Sequence, residues 1–130
     1  MRDHEIIEMY WARNENAIAA TAEKYGNYCH TIAYNILHNR EDAEECSNDT
    51  YLGAWNSIPP QRPNRLSIYL GKITRNLALN RNIFVRRYYH LYAIRDIADT
   101  YGMSESKVAS LLFRMRNELK RFLENEGIVL

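Results

Sequence analysis

The stretch 102-GMSESKVASLLFRMRNELKRFL-123 carries Ser106, Lys107, Ser110, Arg114, Asn117 and Arg121 at intervals of one face of a helix. Short polar side chains come first and long basic ones later, a set able to reach base edges and phosphates. Between them Val108, Leu111, Leu112, Met115, Leu119 and Phe122 predict one buried stripe. A second concentration of chemistry lies earlier, where 41-EDAEECSND-49 holds five acids. From Thr50 to Arg95 there is then no Asp or Glu, while Arg62, Arg65, Lys72, Arg75, Arg81, Arg86, Arg87 and Arg95 supply eight positive charges. The net charge of +1 hides this polarity. A basic strip attracts polyanions and an acidic helix suits a basic protein surface, although either pattern alone also fits a solvated face.

The elements that must position these groups are helical. At 130 residues and 46% hydrophobic the chain can build one compact domain or two small ones. A short helix fits Asp3 to Arg13, with Ile6, Ile7 and Tyr10 on one side. A longer one fits Asn16 to Leu37, where Ile18, Ala22, Tyr25, Cys29, Ile32 and Ile36 alternate steps of four and three. A third fits Arg40 to Ser57, opening with acids that suit the helix dipole and burying Ala43, Cys46, Leu52 and Trp55. The three prolines of 58-IPPQRPNR-65 make a loop. Leu66 to Asn80 predicts a fourth helix, with Leu66, Tyr69, Leu70, Ile73 and Leu77 inward. Asn82–His90 and Tyr92–Tyr101 predict two short ones. Gly102 suits a helix C-cap and Ser104 the N-cap of the last helix, so the chain ends in a helix-turn-helix pattern.

No useful strand alternation exists, so the expected fold is all-α, an N-terminal helical bundle followed by a C-terminal helix-turn-helix. No stretch is long and apolar enough to span a membrane and no signal peptide is evident, which makes the cytoplasm the expected location. Cys29 and Cys46 fall at apolar helical positions and are expected as buried thiols. His4, His30, His38 and His90 lack the spacing of a ligand motif, so neither metal nor cofactor is expected. No nucleophile with its base and no phosphate loop suggests an enzyme.

Three segments in order carry a resemblance: YCHTIAYNILHNREDAEECSNDTYLGAW, RLSIYLGKITRNLALN and IRDIADTYGMSESKVASLLFRMRNELKRFL. Together they resemble a sigma-70 family RNA polymerase sigma factor of the two-domain extracytoplasmic-function type. The resemblance implies a region 2-like domain over 1–80 and a region 4-like helix-turn-helix domain over 81–130. It implies that Asp42, Glu44, Glu45, Asn48 and Asp49 meet core RNA polymerase. It implies that Gln61, Arg62, Asn64, Arg65, Lys72, Arg75 and Asn76 recognise and melt the minus-ten element of promoter DNA. Lys107, Ser110, Phe113 and Arg114 would face the minus-thirty-five element. An anti-sigma protein is a further partner that such a factor leaves room for.

Two departures qualify the resemblance. Ala109 and Leu111 stand where basic residues are usual, which implies fewer phosphate contacts. The junction 76-NLALNRNIFVRRYY-89 also lacks the family's interdomain linker. Either the variant is naturally short or a disordered stretch has been omitted, and the prevalence of flexible linkers between separable domains favours omission. A short form would leave Ile83, Phe84 and Tyr88 without their usual cover. Two other readings stay open: a dimeric helix-turn-helix regulator, and a sigma-like protein that binds polymerase without opening promoters.

Overall fold

The computed structural model describes residues 1–127. Over these residues the chain is all-α, with α1 (Asp3–Trp11), α2 (Asn16–Leu37), α3 (Arg40–Ser57), α4 (Leu66–Tyr88), α5 (Ile94–Tyr101) and α6 (Glu105–Asn125). They form two compact units, Met1–Leu79 and Asn80–Leu130.

In the first unit α2 packs chiefly on α3, and the turn between them explains the hairpin. His38 takes a left-handed conformation, φ 53°, and ends α2. Asn39 then caps α3 by accepting a hydrogen bond from the Asp42 N–H at 2.9 Å. The core joins Ile6, Ile7 and Tyr10 of α1 to Cys29, Tyr51, Ala54, Ile58, Leu66 and Leu70. Its polar members are all partnered. Tyr10 Oη lies 2.6 Å from the Thr21 hydroxyl, and Thr50 and Thr74 share a hydroxyl contact of 2.9 Å between α3 and α4. Both cysteines are buried free thiols, and Cys46 Sγ donates to the Thr74 carbonyl at 3.6 Å. Burial pushes the Cys29 thiol pKa up, so it stays protonated.

The start of α1 is pinned to α2 by Asp3, whose carboxylate accepts from Lys24 Nζ at 2.6 Å and from Tyr25 Oη at 2.7 Å. Burial on its own would raise the Asp3 pKa, but these two hydrogen bonds and the Lys24 charge together hold it below the ordinary value. Burial first, and Asp3 second, pushes the Tyr25 phenol up to about 12. A depressed carboxylate pKa adds stability that is present above the unfolded pKa and disappears as pH falls through the folded one. Stability is therefore expected to decline as pH drops below about 4, and Asp3→Asn should flatten that part of the profile. Identical acid profiles for the two proteins in urea titrations would contradict the assignment.

The second unit is built on α5 and α6. Gly102 caps α5 with φ 64°, and Ser104 Oγ accepts from the Lys107 N–H at 3.1 Å to start α6. Ile97, Ala98, Val108, Leu111 and Leu112 form its core with Ile83 of α4.

Several expectations need correction. α1 ends at Trp11 rather than Arg13. The break expected after Asn80 is absent, because no glycine or proline occurs between Gly71 and Gly102 and α4 runs on to Tyr88. Residues 82–88 thus belong to α4, and the next helix begins at Ile94. Ile83 is not left bare: it is fully buried within its own unit. Ile83→Ala should cost roughly 2 to 5 kcal/mol in urea unfolding, whereas a cost under about 1 kcal/mol would mean that the site is not a packed core. The buried stripe of α6 stops at Met115, since Leu119 and Phe122 are exposed. Leu52 is also exposed, for a reason that bears on the site.

Candidate nucleic-acid interface

α3 divides into two faces. Ala43, Cys46, Ser47, Thr50, Tyr51 and Ala54 are buried. Glu44, Glu45, Asn48 and Asp49 are exposed, and Asp42 is half-buried. Leu52, expected in the core, is 53% exposed. At 100° per residue it falls within about 20° of Glu45 but about 120° from Cys46, so it belongs to the acidic face. Sequence reasoning missed this because a lone leucine in a helical pattern defaults to the core. The resulting surface, acids around one leucine, matches a partner that offers cations together with an apolar contact.

Beyond α3, the Ser57 hydroxyl meets Tyr69 Oη at 2.5 Å and ties the helix end to α4 across the loop. Gln61, Arg62, Asn64 and Arg65 on the loop are exposed, as are Lys72, Arg75 and Asn76 on α4. An open groove of about 320 Å³ is lined by Pro63, Asn64, Arg65, Ile68, Tyr69 and Lys72. It brings together three of the expected residues, Asn64, Arg65 and Lys72. Arg75 and Asn76 continue the same side of α4 one turn on, outside the groove lining. Gln61 stands apart from the lining as well. Arg62 is engaged within the protein, forming an ion pair with Glu8 and lying 4.5 Å from the Trp11 ring centre. Ile68, which lines the groove and is 52% exposed, was not foreseen.

In the second unit Lys107, Ser110, Phe113 and Arg114 are all exposed. A shallow hollow of about 430 Å³ is lined by Ala109, Ser110, Phe113, Arg114 and Arg116. Lys107 lies outside that lining, and Arg116 is an addition to the expected set. Leu111 is 8% exposed and part of the core, so the apolar residue there takes nothing from the exposed face. Ala109 does lie on that face, where its small side chain leaves the hollow open.

Among the described residues no cluster of His, Cys, Asp and Glu could hold a metal ion, and no helix is long and apolar enough to cross a membrane. No curated protein matches the chain. A family model does: residues 21–89 match Sigma-70 region 2, just over half of the sequence. The match encloses the acidic face of α3 and the groove, and it ends before α5. Region 2 is the part of these factors that binds core RNA polymerase and melts promoter DNA. The chain belongs to the sigma-70 family and serves promoter recognition in transcription initiation.

Proposed function

We propose that this chain is a small sigma factor of the extracytoplasmic-function type, acting in the cytoplasm. Its first unit docks on core polymerase through α3 and captures melted minus-ten DNA at the groove. Its second unit reads the minus-thirty-five element through α6. The observation that carries the reading is the pairing, within residues 21–89, of an exposed acidic helix face with an open groove in an acid-free stretch.

Each surface suits its task physically. Glu44, Glu45 and Asp49 steer a basic partner, and Leu52 adds apolar area that is removed from water on docking. The groove is lined by the apolar side chains of Pro63 and Ile68, the ring of Tyr69, and amide, guanidinium and ammonium groups at Asn64, Arg65 and Lys72. A base drawn out of the duplex loses roughly a few kcal/mol of stacking and pairing. Contact with aromatic and apolar side chains returns about 1 to 3 kcal/mol per base, and polar edges add selectivity. Arg75 and Asn76 extend the strip toward the strand backbone. On α6, Ser110 and Arg114, which line the hollow, take base edges, and the exposed Lys107 and Arg116 take phosphates.

The reading is tested by mixing the chain with core polymerase, asking for co-elution, and then transcribing a promoter library. Specific initiation from a subset of promoters supports it. Co-elution without initiation would instead mark a regulatory protein that occupies polymerase, and no co-elution would reject the reading. The groove also has a salt signature: replacing Lys72 with Ala should lower the slope of log affinity against log salt by about 0.7 on single-stranded minus-ten DNA. An unchanged slope would remove Lys72 from the phosphate contacts.

A further inference from the structure

The loop that forms one wall of the groove is gripped by Arg13, two residues beyond the end of α1, and the reason lies in its prolines. α3 ends at Ser57, and the carbonyl of Trp55 would ordinarily receive the N–H of residue 59. Residue 59 is Pro59, which has no N–H to give. Arg13 fills the vacancy. Its Nη1 donates to the carbonyl oxygens of both Trp55 and Ile58 at 2.8 Å, and its guanidinium carbon lies 3.6 Å from the centre of the Trp55 ring. Arg13 holds a left-handed backbone, φ 55°, with its own N–H bonded to the Tyr10 carbonyl at 3.0 Å. Non-glycine residues keep that conformation where their surroundings fix it. The grip is reciprocal, since Arg62 from the loop lies over Trp11 of α1 and pairs with Glu8.

We propose that Arg13 is a positioning residue for minus-ten capture: it fixes the exit of the chain from α3, so that Pro63, Asn64 and Arg65 stand against Ile68 and Tyr69 as a preformed wall. Arg62 completes the clamp from the loop side. A preformed wall removes the ordering cost that a mobile loop would incur each time a base enters. This inference rests on the groove being the site of minus-ten capture.

Arg13→Met and Arg13→Lys separate positioning from mere packing, because both keep a straight aliphatic chain on Trp55 and only Lys keeps a cation and N–H donors. The full chain, bound to core polymerase, is titrated with a template whose minus-ten segment is single-stranded. Arg13→Met should weaken binding by about tenfold or more, the scale of hydrogen bonds from a charged donor. Arg13→Lys should restore it to within about threefold, with co-elution unchanged in both. Amide exchange at Gln61, whose N–H donates to the Ser57 carbonyl at 2.9 Å, should quicken at least about tenfold in Arg13→Met. Wild-type-like template binding by Arg13→Met, equal losses in both variants, or unchanged exchange at Gln61 would each overturn the proposal. If the wild-type complex itself ignores the template, the groove reading fails, and the Gln61 exchange rate still decides whether Arg13 orders the loop.

Discussion

Replacing Glu44, Glu45 and Asp49 together with Lys should abolish co-elution of this chain with core RNA polymerase. All three are exposed on α3, and each substitution turns an attraction to a basic partner into a like-charge contact that costs several kcal/mol. A combined loss of only about 4 kcal/mol is already a thousandfold in affinity. The fold should survive. The acids of the first helical turn, Glu41 and Asp42, are untouched, and the dipole effect fades beyond that turn. Leu52→Asp offers an independent check of the same face: it should also weaken co-elution, with little change in unfolding free energy because the side chain is already largely in water. Far-ultraviolet circular dichroism alongside size-exclusion chromatography reads both quantities. Undiminished binding with helicity intact would remove α3 from the polymerase interface.

Arg75→Ala and Arg114→Ala should fail in different assays. Arg75 follows the groove along α4, so its loss should slow open-complex formation and leave binding to an isolated minus-thirty-five duplex nearly unchanged. Arg114 lines the hollow on α6. Its loss should weaken that duplex by roughly 1 to 3 kcal/mol if the guanidinium grips a guanine through two hydrogen bonds. Both residues are exposed, so neither substitution should unfold its unit. Equal defects on the minus-thirty-five duplex alone would contradict the division of work between the two surfaces.

How far the sequence foretold these surfaces depended on whether the determining physics was local. Gly102 and Ser104 were readable because a left-handed cap and a side-chain cap are properties of one or two residues. The boundaries of α2 and α3 followed for the same reason, with the change of direction at His38 and Asn39 set by adjacent residues. The length of α4 was not readable in the same way. Its middle, 80-NRN-82, is polar and resembles a connection, yet nothing in it obstructs helical geometry, and burial of Ile83 among Ile97 and Val108 outweighs the modest propensity cost of asparagine. Leu52 was misplaced because hydrophobicity alone cannot tell a core position from an exposed one; the angle from Cys46 could have done so. The Arg13 contacts with Trp55 and Ile58, and the pairing of Arg62 with Glu8, join residues more than forty positions apart, which no local pattern encodes.

The central claim, that this chain brings core polymerase to a promoter and opens it, is tested most directly by permanganate reactivity of minus-ten thymines. Core polymerase with this chain should make the unpaired thymines of a responsive promoter reactive, and core polymerase alone should not. Charge reversal at Glu44, Glu45 and Asp49 should return the pattern to that of core alone. Co-elution of the chain with polymerase, with no reactive thymine at any promoter of a broad library, would contradict the account.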